Sequence, residues 1–145
     1  MFKCGLQSSA IALLVAASSF SGGVKAQESS TGKQMPPIYG VVTNPSIPMG
    51  CSYVIDDWRD GVIGWLDVDS NVLRVAIDGE LRAFSFRGFQ GDVLLGETDA
   101  YKVRVTPIKV LMKGYEYSET KETLHIINKE SGLQSRLIVR VKQVC

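Results

Sequence analysis

The sequence predicts a single all-β domain, either a small antiparallel β-sandwich or a barrel-like domain of about seven or eight strands. Short β-rich runs alternate with turn residues along most of the chain, and no apolar i, i+3, i+4, i+7 stripe is long enough to indicate a helix. Because crossover helices are missing, a parallel sheet is not expected. We favour a sandwich with some barrel character, since the long final strand could bridge two sheets.

The start of the chain, residues 1–26, has the pattern of a cleaved signal peptide. Lys3 supplies the positive charge, residues 11–17 form an apolar core too short to span a bilayer, and the small residue Ala26 precedes the expected cut before Gln27. An uncleaved N-terminal anchor is the alternative. The pattern predicts a periplasmic or secreted protein.

The released chain divides into two parts. Residues 27–37 are polar, rich in serine and aperiodic, which predicts a flexible linker. The β-rich runs follow at residues 38–145, which are enough for one hydrophobic core. After cleavage, 14 basic and 15 acidic side chains remain, so no basic surface for nucleic acid is expected. No second apolar run follows the leader, and the mature form is not expected to span a membrane.

Two cysteines, Cys51 and Cys145, remain after cleavage. In an oxidising compartment an isolated pair is expected to form a disulfide, since a metal site would need further Cys or His ligands. Closing so long a loop would contribute about 4 to 5 kcal/mol in the chain-entropy picture. No C-x-x-C spacing is present to favour a redox pair.

The clearest local unit is a hairpin centred on Asp78-Gly79. Asp-Gly between two β-rich runs is typical of a type I′ turn, whose two central residues take positive φ. This turn places Ile77 opposite Glu80. The register puts one apolar face toward the core, with Arg82 near an edge; that face comprises Leu73, Val75, Phe84 and Phe86.

Further strands are predicted on both sides of this hairpin. Residues 51–55 and 61–68 form a candidate pair around an acidic loop, and residues 101–106 alternate in polarity up to Pro107, which indicates a bulge, an edge or a break. A second hairpin is predicted to join residues 123–128 to residues 133–144.

The aspartates of two predicted turns are the clearest candidates in the chain for metal binding or catalysis. Residues 67–71 begin like a calcium-binding D-x-D-x-N loop, but Val72 stands where the sharp turn needs glycine and Ala83 stands where a glutamate ligand is needed. We therefore interpret these residues as turn formers and expect no metal or other cofactor. The group comprises Asp56, Asp57, Asp60, Asp67 and Asp69.

No catalytic residues are predicted. The single histidine, His125, would face solvent from a strand, and no serine near it lies in a nucleophile-elbow pattern. We therefore expect a protein that is not an enzyme.

Four aromatic residues are candidate binding residues: Trp58, Phe89, Tyr115 and Tyr117. Trp58 belongs to the acidic loop, Phe89 lies between glycines, and the two tyrosines sit in the polar stretch 113–122. Exposed Tyr and Trp bring a large contact area with little rotamer entropy to lose, which suits partner interfaces. Trp65, in contrast, is expected in the core.

The residues Gly50-Cys51-Ser52, the hairpin 75–80 and the C-terminal cysteine resemble those of small exported bacterial proteins of uncharacterised families. The resemblance implies a disulfide-linked β domain of the cell envelope and carries no catalytic residues. Periplasmic lysozyme inhibitors share this outline, but their Ser-Gly loop leading to a tyrosine is not present.

The leading hypothesis is an exported non-enzymatic domain that binds a protein or a cell-envelope component through aromatic loops at one end. Alternatives are an inhibitor or immunity protein against a lysozyme or toxin, a hydrolase of envelope polymer that uses the turn aspartates, and a structural subunit with residues 27–37 as a donor strand. The identity of the partner and the oligomeric state stay open.

Overall fold

The computed structural model describes residues 35–59 and 61–145, and Met35–Cys145 form one compact unit. The predicted signal peptide, most of the predicted linker and Asp60 lie outside the described residues. Eight strands follow in order: β1 (Ser52–Asp56), β2 (Val62–Asp67), β3 (Val72–Ile77), β4 (Glu80–Gln90), β5 (Val93–Glu97), β6 (Tyr101–Lys113), β7 (Tyr117–Asn128) and β8 (Gln134–Val144).

The strands form a closed antiparallel barrel in which each strand pairs with its neighbours in the sequence. The all-β prediction is confirmed. The preference for a sandwich is wrong, because β8 pairs with β1 from Ser52↔Val144 to Asp56↔Arg140 and so closes one continuous sheet. Closure also removes the two free edges that an open sheet would leave.

The connections define two ends of the barrel. One end, here called the disulfide end, carries the β2–β3, β4–β5 and β6–β7 turns together with the bond between Cys51 and Cys145. The predicted disulfide is confirmed, and it fastens the end of β8 to the start of β1. The other end, here called the far end, carries the β1–β2, β3–β4, β5–β6 and β7–β8 turns.

The hairpin at the β3–β4 turn has the predicted register, with Ile77 opposite Glu80. Asp78 and Gly79 take φ of 52° and 81°, as a type I′ turn requires. The Asp78 carboxylate is also a structural acceptor, since it receives hydrogen bonds from Ile38 N at 2.9 Å and from the hydroxyl of Tyr101 at 3.0 Å.

A single hydrophobic cluster fills the barrel toward the far end. Alternation along each strand turns every second side chain inward, and full burial of each large one contributes roughly 1.5 to 3 kcal/mol. Gly64 permits close approach there, because a Cβ at this position would meet the carbonyl oxygen of Arg74. The largest fully buried side chains include Phe84, Ile55, Ile63, Leu66, Leu73, Ile77, Leu124 and Ile126.

The N-terminal segment closes the far end. Tyr39 forms an isolated bridge with Ile77 and packs against the hydrophobic cluster. Its hydroxyl donates to the carbonyl oxygen of Ser135 at 2.6 Å and lies 3.0 Å from that of Leu124, and burial raises the pKa of this phenol above its ordinary value. Ser135 in turn donates to the carbonyl of Pro37, so the ordered fold begins before Tyr39.

Two local predictions concern Trp65 and Pro107. Trp65 is buried, as predicted, although it lies outside the central cluster and borders a cleft shared with residues of the N-terminal segment such as Val42. Pro107 marks a β-bulge at which the register between β6 and β7 shifts, and pairing resumes from Lys109. Of the three possibilities that the sequence left open at Pro107, a bulge, an edge or a break, the structure shows a bulge within one strand.

Candidate functional site

A cavity of about 420 Å³ opens at the disulfide end of the barrel. The strands β6, β7 and β8 are long, with 13, 12 and 11 residues, and residues of all three line the cavity. The volume falls within the usual range for small-molecule sites, about 300 to 1,000 Å³. Its lining has two parts of different chemistry, here called walls.

The polar wall comes from β7 and β8. Along β7 the inward positions change from Ile126 and Leu124, which are buried in the core, to Glu122, Thr120 and Ser118, which line the cavity. On β8 the same alternation turns Val141 and then Gln143 toward the cavity. The strand period of two therefore places these polar groups inside the barrel rather than in solvent.

A second wall, apolar and aromatic, comes from β1, β4, β5 and β6, and it comprises Tyr53, Phe89, Leu94, Val105 and Val110. A bulge between Phe86 and Phe89 shifts the register of β4, and Gly88 takes a φ of 89° within it. The ring of Phe89 lies 5.7 Å from that of Tyr53 and 5.2 Å from that of Phe86, measured between centroids. These tilted and edge-on contacts hold Phe89 at the cavity.

Glu122 is the carboxylate of the cavity. The hydroxyl of Thr120 donates a hydrogen bond to its Oε1 at 2.5 Å. Burial raises the pKa of Glu122 above its ordinary value, and the negative charge of Asp92 adds to this effect, while the Thr120 hydrogen bond opposes it. The pKa of Tyr53 is also raised, first by burial and then by the charge of Glu122.

Charge compensation inside the cavity is incomplete. Within residues 35–59 and 61–145, no lysine or arginine forms an ion pair with Glu122. The other charged residues that line the cavity are Asp92 and Lys113, and both are exposed. The lining therefore carries two acidic groups and one basic group.

The four predicted binding residues do not lie together. Phe89 lines the cavity, and Tyr115, in the β6–β7 turn at the same end, is fully exposed. Tyr117 alternates with the inward residue Ser118 and hydrogen-bonds to the carboxylate of Glu119 on the outer face of β7. Trp58 lies in the β1–β2 turn at the far end, so it does not share an end of the barrel with Phe89 and Tyr115.

Trp58 instead covers a buried ion-pair group. The carboxylate of Asp56, almost completely buried, lies 3.0 Å from Arg140 Nε and 3.2 Å from Lys142 Nζ. Trp58 takes a φ of 73°, its amide donates to Asp56, and its ring centroid lies 5.8 Å from the Arg140 guanidinium carbon. These contacts indicate a structural role for this turn.

The other turn aspartates cap local backbone. Asp57 Oδ1 accepts hydrogen bonds from the amides of Arg59 and Gly61, and these lower the pKa of Asp57. At the other end of the barrel, the Ser70 hydroxyl donates to Asp67 and lowers the pKa of that carboxyl.

The aspartates thus stand at opposite ends of the barrel: Asp56 and Asp57 at the far end, Asp67 and Asp69 at the disulfide end. In the described part of the chain, no group of three or more His, Cys, Asp or Glu is placed to hold a metal ion. His125 Nε2 lies 2.8 Å from Gln134 Oε1 on the exposed side of β7.

Glu122, Thr120 and Tyr53 were not identified as site residues from the sequence. A signal for two of them is present, because Thr120 and Glu122 are in phase with the apolar positions Leu124 and Ile126. Polar residues that continue the inward phase of a strand point into a barrel.

A scan against protein-family models and searches of the curated proteins and the solved structures found no match. Among the residues the structure describes, no helix has the length and apolar character needed to cross a membrane.

Proposed function

We propose that this chain is an exported, non-enzymatic binding domain that takes an amphipathic component of the cell envelope into the barrel cavity. The observation that carries the proposal is the cavity itself, whose lining combines the aromatic rings of Phe89 and Tyr53 with the polar groups of Thr120 and Glu122. Small-molecule sites combine these features: a mostly apolar lining and a few polar groups that fix the orientation of the ligand.

The arrangement supports binding by preorganisation. The β-strands hold the polar wall, and the ring contacts of Phe89 with Tyr53 and Phe86 hold the aromatic wall before any ligand arrives. A site built on rigid strands loses little conformational entropy on binding. Tyr115 is exposed on the β6–β7 turn at the same end of the barrel, so it is a candidate for ligand contact at the mouth of the cavity.

Export is supported by two independent features. The sequence carries the signal-peptide pattern at residues 1–26, and the bond between Cys51 and Cys145 is of a kind that persists in oxidising compartments. Expression with and without residues 1–26, followed by fractionation, tests this part of the proposal. Mature protein that begins at Gln27 outside the cytoplasm is the expected result.

The binding site is tested with a neutral solvatochromic dye, whose emission rises when it enters an apolar cavity. We expect Phe89→Ala to weaken dye binding about tenfold, because it removes one of the two aromatic rings that line the cavity. Trp58→Ala is the matched aromatic control, because Trp58 lies at the far end, and its affinity should stay within about twofold of wild type. Equal losses in the two folded variants would contradict the proposal.

A second candidate function, assembly by strand addition, is favoured by the outer part of β6. Its ladder with β5 ends at Val105, and Ile108, Leu111 and Met112 beyond it are half exposed. In the described residues no strand pairs with this side of β6, and exposed apolar edges accept further strands. A sedimentation coefficient that rises with concentration, and that Leu111→Lys returns to the monomer value, would support assembly. A constant monomer value would contradict it.

A further inference from the structure

We infer that the cavity selects ligands with a positively charged amine on an apolar body, and that Glu122 is the group that makes this selection. The inference rests on the proposed function, because it names the ligand class for the same cavity. Three features of the cavity support it: the position of the carboxylate, the aromatic rings in the same lining, and the balance of charge around both.

The carboxylate of Glu122 has acceptor positions that the described side chains do not fill. An ionised carboxylate has about four acceptor positions on its two oxygens. Thr120 supplies one donor, and no other described side chain donates to this carboxylate. Glu122 is half buried on the inner face of β7, so a charged ligand group would replace part of its lost hydration.

Two aromatic rings belong to the same lining as Glu122. Tyr53 and Phe89 line the same space as Glu122, with their planes tilted by 56°. The face of an aromatic ring carries partial negative charge and attracts a cation that approaches within about 6 Å of the centroid. The same rings offer apolar contact to a hydrocarbon chain. Both ends of an aliphatic amine therefore find suitable groups.

The lining of the cavity carries more acidic than basic groups. Glu122 and Asp92 are acidic, and Lys113 is the one basic residue in the lining. Lys113 is exposed and forms no ion pair with Glu122, so the negative charge deeper in the cavity stays uncompensated. An anionic amphiphile would meet repulsion at this carboxylate, whereas an amine would form a charge-assisted hydrogen bond.

The test compares octylamine, octanol and octanoate as competitors of the neutral dye at pH 7. These compounds share one hydrocarbon chain and differ in charge. In the wild-type protein we expect octylamine to bind at least about tenfold more tightly than octanol, and octanoate to bind most weakly. In Glu122→Gln the preference for the amine over octanol should fall to within about twofold.

Glu130→Gln is the matched control, because it removes the same charge from the β7–β8 turn at the far end and should leave the amine preference intact. If Glu122→Gln does not fold, the wild-type protein supplies the readout: octylamine stays protonated in acid, so its advantage over octanol should disappear as Glu122 is neutralised. Asp92→Asn should retain most of this pH dependence.

The outcomes separate the two proposals. Octanol that displaces the dye without any advantage for octylamine would overturn the inference about the amine and leave the cavity as a binding site. An amine preference that survives Glu122→Gln would also overturn it. Dye binding that is insensitive to Phe89→Ala, with no displacement by any of the three compounds, would overturn the proposed function itself.

Discussion

Thr120 donates a hydrogen bond of 2.5 Å to Glu122, and both side chains face the interior of the barrel from the same strand. They lie two residues apart, so the period of the strand alone makes them neighbours on one face. The Thr120 hydroxyl orients one oxygen of the carboxylate and favours its charged form, while burial disfavours it. This pair links the polar wall of the cavity to the pH dependence of the fold.

The first prediction concerns the stability of Glu122→Gln. The pKa of Glu122 is raised in the folded state, so the native protein holds this proton more tightly than the unfolded chain does. Ionisation of Glu122 should therefore cost stability as pH rises from the unfolded pKa through the folded pKa. The glutamine variant lacks this cost and should gain stability relative to wild type over that window.

The measurement is the free energy of unfolding of wild type and Glu122→Gln in urea between pH 4 and pH 7. The other titratable groups of the lining, Tyr53, Asp92 and Lys113, are common to both proteins, so the difference isolates Glu122 to first order. A difference that does not change with pH, or that shrinks as pH rises, would contradict the raised pKa.

The disulfide gives the second prediction. Cys51 and Cys145 are 94 residues apart, so the bond constrains nearly the whole unfolded domain. Replacing both by serine should lower the free energy of unfolding by up to roughly 4 kcal/mol. Urea denaturation measures this. A reducing agent should bring the wild type to the level of the variant and leave the variant unchanged; a drop in both would point to another cause.

Local chemistry explains what the sequence predicted well. The register Ile77↔Glu80 follows from Asp78-Gly79 alone, because few residues accept two successive positive φ angles. The disulfide prediction followed from the expected oxidising compartment and from the two cysteines, Cys51 and Cys145, that would remain after the expected cleavage. Both predictions needed only neighbouring residues or composition.

Nonlocal pairing explains what the sequence did not reveal. The choice between sandwich and barrel depends on β1 pairing with β8, strands that lie at opposite ends of the domain sequence. Glu122 belongs to a stretch that is polar at nearly every position, so its inward direction becomes visible only when its phase is referred to Leu124. The sequence did not reveal the contact between Trp58 and Arg140, because these two residues lie far apart in the chain.

The third prediction concerns the N-terminal segment. The hydroxyl of Tyr39 donates to a backbone carbonyl of the barrel, that of Ser135, at 2.6 Å. Tyr39→Phe would remove this hydrogen bond, and the net loss from one such bond is typically about 0.5 to 1.5 kcal/mol. Thermal unfolding measures the loss, and Tyr115→Phe is the matched control, because Tyr115 is fully exposed and should show no change. Equal melting temperatures for the two variants would contradict the role of Tyr39.

The fourth prediction separates the two ends of the barrel. Asp56 is almost completely buried with Arg140 and Lys142 beside it, so Asp56→Asn would remove the buried negative charge of these ion pairs. Breaking a buried pair in this way typically costs about 3 to 5 kcal/mol. The matched control is Glu80→Gln, which removes an exposed ion pair with Arg82 and should cost less than about 1 kcal/mol.

Asp56→Asn should nevertheless leave ligand binding unchanged in the folded protein, because Asp56 does not line the cavity. Urea denaturation gives the stability, and the dye titration, carried out where the variant remains folded, gives the affinity. A large loss of stability with unchanged dye affinity would mark Asp56 as a structural group. A loss of affinity in the folded variant, together with unchanged stability, would show instead that the turn containing Trp58 takes part in binding, as the sequence first indicated.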